Sequence, residues 1–112
     1  MWRSRRECEG WVGLLITQTL RWGPKHGYAI VGWINEQTDG ALELSEGVVY
    51  PALHRLNKKG WVKGKWGESD SGRRARFYTL TQGGWKALQR ETALWEEQTA
   101  AVAALLRHAG GG

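Results

Sequence analysis

The feature that most constrains this chain is a double change of hydrophobic period, at Gly60 and again at Thr81. Before Gly60 the apolar residues recur at helical spacing, through residues 61–80 they tend to alternate, and beyond Thr81 they return at spacings of three and four. Such a chain has to fold as helices, then a short β unit, then a further helix. With 112 residues of which 41% are hydrophobic, it is too short for two independent cores and too apolar to stay disordered. One thin core results, and any apolar helix surface left over is more naturally buried against a second subunit than left in water.

Residues 7–22 carry Trp11, Val12, Leu14, Leu15, Ile16 and Leu20 at helical spacing, and Gly23 and Pro24 stop the run. Residues 26–37 carry Ile30, Trp33 and Ile34 at i, i+3, i+4, closed by the turn residues Thr38, Asp39 and Gly40. Ser45 is placed to N-cap a third helix reaching about Lys59, with Gly60 as its terminator and Pro51 within its first turns, so that regular helix is expected from near Val48. Residues 61–66 and 74–80 are aromatic and β-branched with a polar stretch between them, and predict a β-hairpin. Thr81 then caps a last helix with a heptad stripe of Trp85, Leu88, Thr92, Trp95, Thr99, Val102 and Leu106, widened by Leu94, Ala101 and Leu105. A helix pair followed directly by a basic two-stranded ribbon is the layout of a winged helix-turn-helix. The expected fold is therefore mainly α with a two-stranded β wing: a winged helix-turn-helix DNA-binding unit over residues 1–81, a dimerisation helix over 82–107 and a flexible tail over 108–112.

Charge is distributed as that layout requires. The net charge is +5, yet residues 55–76 hold eight basic side chains against Glu68 and Asp70, which leaves the remainder of the chain slightly acidic. A one-sided basic block suits a polyanion, because phosphate contacts release counterions; a merely solvated surface is the alternative. With Leu53 at the centre of the buried face of the third helix, Val49 and Leu56 fall beside it. Val48, Pro51, Arg55 and Lys58 fall opposite and His54 at the flank. Arg55 is the candidate for reading a base, since a guanidinium bonds guanine bidentately; Lys58 and Lys59 suit phosphates, although basic residues also stabilise a helix C-terminus without any ligand. Tyr50 either reaches a phosphate through its hydroxyl or braces the helix. On the hairpin, Arg73 and Arg74 lie at the turn and Arg76 on the returning strand, positions from which a wing reaches DNA or, alternatively, protects a sheet edge.

The segments Tyr50-Pro51-Ala52-Leu53-His54-Arg55-Leu56, Gly60-Trp61, Trp66-Gly67-Glu68-Ser69, and the run from Gly72-Arg73-Arg74 through Phe77-Tyr78-Thr79-Leu80-Thr81 resemble the PadR family of bacterial winged-helix transcriptional regulators. The upstream Gly23-Pro24-Lys25-His26-Gly27-Tyr28-Ala29-Ile30 matches as well. The single helix after the wing is similar to the family's compact subfamily. The resemblance implies a homodimeric repressor on a pseudo-palindromic operator, with the third helix in the major groove and the wing alongside. It also implies that a small aromatic effector can bind between subunits, and Trp95, with Trp11, is the candidate for lining that site. The chain departs from the family at Val48, where a small hydroxyl residue is usual, and carries Gly13, Gly32, Gly83 and Gly84 inside helices, each disfavoured against Ala by about 1 kcal/mol.

Other functional classes find little support. The lone Cys8 and the residues His26, His54 and His108 show no metal-ligand or nucleophile spacing, and no glycine-rich phosphate loop is present, so neither catalysis, metal nor cofactor is expected. The longest apolar run, residues 100–106, is far short of the roughly twenty residues a membrane helix needs. Arg3, Arg5 and Arg6 before an apolar stretch imitate a secretory signal without a cleavage site, and a cytoplasmic protein with no membrane partner is expected. Most of the eight tryptophans are expected to fill core or interface. The competing class is a ligand-binding or protein-interaction module on the same scaffold with weakened DNA binding.

Overall fold

The computed structural model describes the backbone of residues 5–108 and the side chains of residues 11–108. Trp2, the side chain of Cys8 and most of the tail expected over residues 108–112 lie outside the described residues. The element order is α1 (Arg5–Leu20), β1 (Lys25–His26), α2 (Gly27–Gln37), α3 (Glu46–Lys58), β2 (Val62–Glu68), β3 (Arg74–Leu80) and α4 (Gln82–Arg107). This is a winged helix-turn-helix with one long helix following the wing.

The helix ends follow from local chemistry. α1 stops two residues before Trp22 because the amides of Trp22 and Gly23 donate three residues back, to the carbonyls of Thr19 and Leu20 (3.4 and 3.1 Å), and the chain turns at Gly23 with φ +130. α2 is capped by His26, whose Nδ1 accepts the Ala29 amide at 3.2 Å. Ser45 stands at the N-cap of α3 as expected, but its backbone carbonyl rather than its hydroxyl receives the first amides, those of Val48 and Val49. Helix α3 begins at Glu46 rather than near Val48 as expected, so Pro51 stands inside it and removes one ladder bond, the one its missing amide would donate to the Gly47 carbonyl. Its C-terminus is a Schellman motif: the Trp61 amide donates to the Leu56 carbonyl and the Gly60 amide to the Asn57 carbonyl, both at 3.0 Å, with Gly60 at φ +79.

The sheet has one strand more than the sequence predicts. β2 and β3 form the expected antiparallel hairpin, with Val62 opposite Leu80 and Glu68 opposite Arg74, and two-residue β1 pairs with the other edge of β3 through Lys25–Tyr78 and His26–Phe77. A strand of two residues has no periodicity to detect, and only its pairing to β3, distant in sequence, creates it.

Ile16, Leu20, Ile30, Ile34, Val49, Ala52, Leu53, Leu56 and Val62 make an aliphatic core where α1, α2 and α3 meet the base of the hairpin. None of the tryptophans at positions 11–95 is fully buried, so the expectation that most fill core or interface is corrected for the core alone, with Trp33 and Trp61 packed against its margin. Trp22, Trp66, Trp85 and Trp95 are exposed, and Trp11, Trp33 and Trp61 are half-buried. A ring that large is rarely buried whole, and here the described rings lie at the margin, where several offer a face to cations. Arg21 lies over Trp22, Lys25 over Trp33 and Lys59 over Trp61, at 5.3, 5.6 and 4.8 Å.

α4 starts on the body of the molecule and then leaves it. Gly84, Ala87 and Leu88 are buried, whereas Leu105 and Leu106 are 74% and 69% exposed. The departing helix gives the molecule its 60 × 29 × 23 Å shape. Among the described residues no helix is long and apolar enough to cross a membrane.

Candidate nucleic-acid interface

The helical arithmetic for α3 holds in outline. Val49, Ala52, Leu53 and Leu56 are buried, and Val48, Tyr50, Pro51, His54, Lys58 and Lys59 are exposed on the outer side. Arg55 is half-buried rather than fully outward, and it already takes part in an interaction within the chain. Lys59 is the C-cap residue, with its Nζ above the Trp61 ring. His54 and Lys58 are exposed on the outer side of this helix.

Tyr50 links the helix to the rest of the surface. Its ring lies against the backbone of Gly27 at the start of α2, where an added Cβ would come within 2.6 Å of the ring. That close approach explains the glycine. Partial burial pushes the Tyr50 phenol above its ordinary value, with nearby Glu46 and Tyr78 adding to the rise and a backbone hydrogen bond from Tyr28 opposing it. Of the two roles the sequence leaves open, this packing favours the brace, yet the ring remains 46% exposed.

The hairpin register sorts the basic block into two faces, which its sequence count cannot do. Residues opposite each other in an antiparallel pair share a face. Gly64, Trp66 and Glu68 therefore share one side with Tyr78, Arg76 and Arg74, and Lys63, Lys65 and Gly67 share the other with Thr79, Phe77 and Ala75. The arginine face is the one that continues from the core through Val62, Tyr78 and Leu80. Tyr50 on α3 and Tyr78 on β3 lie close enough to influence each other electrostatically, and the Arg76 guanidinium is 6.0 Å from the Tyr78 ring centre. A continuous surface thus runs from α3 through two tyrosines to Arg76, Arg74 and the exposed turn residue Arg73, whereas Lys63 and Lys65 face away from it.

Sequence reasoning singled out the wing arginines but missed Trp66, whose ring lies 5.0 Å from the Arg74 guanidinium and 5.9 Å from that of Arg76. Counting residues back from Gly72 could have flagged their shared face, but only if the turn were known. That turn is closed by Ser69 and Gly72, with the Ser69 amide donating to the Arg73 carbonyl (2.8 Å) and Gly72 at φ +81. An open hollow of about 300 Å³ lies beside it, lined by Trp66, Gly67, Glu68, Gly72 and Arg74.

At the opposite side of the molecule, the two candidate effector residues come together. The rings of Trp11 on α1 and Trp95 on α4 are 6.5 Å apart and inclined by 44°. Trp95 keeps 45% of its surface exposed in spite of that contact.

A family model described as the transcriptional regulator PadR-like family matches residues 16–90 of this chain. A transcriptional regulator from Clostridium thermocellum is similar in structure, with 28% sequence identity, a TM-score of 0.78 and coverage of 92% of this chain and 97% of that one. A PadR family transcription regulator from Clostridium difficile is 26% identical with a TM-score of 0.74, covering 86% of this chain and 98% of its own. Bacillus subtilis PadR in complex with operator DNA shares the fold at 24% identity and a TM-score of 0.64, over 70% of this chain and 45% of that one.

Proposed function

The chain belongs to the PadR-like family of transcriptional regulators, and from that premise we propose that it acts as a homodimeric repressor on a pseudo-palindromic operator in double-stranded DNA, with α3 in the major groove and the wing alongside. The observation that carries this reading is the unbroken surface joining the outer side of α3 to the arginine face of the wing. It combines exposed His54 and Lys58 with Arg73, Arg74 and Arg76, and has Tyr50 and Tyr78 between them. A helix able to reach base edges, flanked by a ribbon of guanidiniums at the level of the backbone, matches the two kinds of contact a duplex offers. The relative bound to operator DNA supports the same assignment by likeness of fold.

Two copies are proposed to join through α4, which divides the chain into a DNA-binding body over residues 1–81 and an arm over 82–107. The tryptophan pair at the root of that arm is proposed to receive a small flat aromatic compound, since Trp95 stays 45% exposed although its ring lies 6.5 Å from that of Trp11. Such a compound acts as an effector only if it prefers the DNA-free or the DNA-bound dimer.

Selection of duplexes from a random pool, followed by anisotropy titration over a range of salt, tests the reading. Preference for a palindromic sequence, with affinity falling steeply as salt rises, is the expected result. Equal affinity for selected and scrambled duplexes would leave the scaffold as a ligand or protein-interaction module. Dye titration of the wild type and Trp95→Ala, with and without operator, tests the effector site: unchanged affinity in Trp95→Ala excludes it.

A further inference from the structure

We infer that Trp66 is a positioning residue for DNA binding, holding the guanidiniums of Arg74 and Arg76 in place on the wing so that both meet the duplex already ordered. The inference rests on the DNA-binding reading and extends it to a residue outside the basic set. Trp66 stands on the arginine face of the hairpin, directly opposite Arg76 and diagonal to Arg74, beyond the reach of the core. It is 53% exposed, so burial of its own surface does not account for its presence there. What its ring does touch is cationic, Arg74 at 5.0 Å and Arg76 at 5.9 Å.

The neighbouring residues are consistent with a device for holding arginines. Arg76 lies across Gly64, where any Cβ would collide with its guanidine stem, and its charged end falls between the rings of Trp66 and Tyr78. The glycine opens the path and the two rings receive the head. A guanidinium stacked on an aromatic face still presents its N–H donors at the edge, so stacking does not use up the groups that a phosphate or a groove acceptor needs. Glu68, directly opposite Arg74 on the same face, places a carboxylate beside the pair, so the two guanidiniums are held close without an unbalanced charge. An arginine free to rotate would lose its rotamer freedom at the moment of contact; one already stacked has lost much of it beforehand.

The test is a coupling measurement on the full chain. Trp66→Leu and Trp66→Phe are made in the wild type and in Arg74→Ala/Arg76→Ala, and affinity for the selected duplex is measured by anisotropy. Thermal midpoints are recorded to confirm that each variant is folded. Trp66→Leu is expected to weaken binding about tenfold in the wild type, the size set by the rotamer freedom that two arginine side chains would then lose on contact, and less than about twofold in the double-alanine background. Trp66→Phe, which keeps a π face, is expected to recover most of the loss. An equal loss in both backgrounds, or none in either, overturns the inference, because Trp66 would then act without the arginines. The ring-current displacement of the Arg74 and Arg76 Nε–H resonances, read by NMR without DNA, separates the two levels of the argument. Should the wild type prefer no duplex, the DNA reading fails, and the inference falls with it even if displaced resonances show that the ring holds the arginines. Undisplaced resonances in the wild type overturn the inference whether or not DNA binds.

Discussion

At the scale of single residues, Tyr50 and Arg55 bear most directly on how this surface works. Burial raises the Tyr50 phenol above the usual value near 10, so the folded state binds its proton more tightly than the unfolded chain. The associated stability is present in full below the unfolded value and is lost as pH rises through the folded one. Tyr50→Phe should therefore flatten the fall in thermal midpoint above about pH 10 relative to wild type while changing little at pH 7, which parallel melts would reveal. A difference at pH 7 as large as that at high pH would trace the effect to the lost hydrogen bond between the Tyr28 amide and the Tyr50 hydroxyl rather than to titration. Arg55 has a different liability, being half-buried and engaged within the chain. If it reads a guanine, Arg55→Ala should cost about 1–3 kcal/mol of operator affinity and relax preference at one base position. Lys58→Ala and Arg73→Ala should weaken all duplexes alike and reduce the salt slope by about one each. Binding profiles across single-base operator variants distinguish these outcomes, and an unchanged profile for Arg55→Ala would leave its role inside the fold.

At the scale of elements, the start of α4 shows how one residue type serves opposite ends. The sequence treats Gly32 and Gly84 alike, as glycines inside helices. Gly32 is exposed on α2 with nothing near the place of a Cβ, whereas a Cβ on Gly84 would run into the Trp61 carbonyl. The difference comes from the way α4 is fastened: Thr81 accepts the Gly84 amide, its hydroxyl donates to the Gly60 carbonyl, and its own amide donates to the Trp61 carbonyl. The first turn of α4 therefore sits directly on the turn that ends α3, and Arg90 adds a contact over Trp61 at 6.0 Å. Gly32→Ala is expected to stabilise the protein by about 0.5–1 kcal/mol through helix propensity. Gly84→Ala is expected to destabilise it by about 1–3 kcal/mol, because a backbone carbonyl cannot move aside as a side chain can. Chemical denaturation of both variants provides the comparison, and a stable Gly84→Ala would mean that α4 can lift from Trp61 at no cost.

At the scale of the whole molecule, α4 is 26 residues long, about 39 Å at helical rise, and only its first part rests on the body. The exposed Val102, Leu105 and Leu106 continue the stripe that Leu88 begins inside, so one apolar seam passes from a buried to an uncovered setting. In the proposed dimer, packing of two such arms about a two-fold axis would cover the seam and would bring the two Trp95 rings toward one interface. Val102→Glu/Leu106→Glu is accordingly expected to yield a folded monomer or a strongly weakened dimer in sedimentation. These positions lie outside the core, so the body should keep its helical circular dichroism. A double variant that remains a tight dimer would move the interface elsewhere.

The helices, the hairpin, the ends at Gly60 and Thr81, the place though not the hydroxyl role of Ser45, and the buried side of α3 were legible in the sequence because each depends on local periodicity or on the chemistry of a few adjacent residues. The family pattern was legible for the same reason, as a set of short motifs in order. Tertiary structure decided what depends on residues distant in sequence. Pairing to β3 made a strand of Lys25 and His26, and the hairpin register separated Arg74 and Arg76 from Lys63 and Lys65. The same register put Trp66 beside those arginines, and the seating of α4 on Trp61 turned Gly84 from a weakness into a requirement. Packing left the tryptophans at positions 11–95 outside the fully buried core, with Trp33 and Trp61 against its margin. Periodicity reports which face of an element is apolar, but which faces meet, and at what distance, is set by the packing of whole elements against one another.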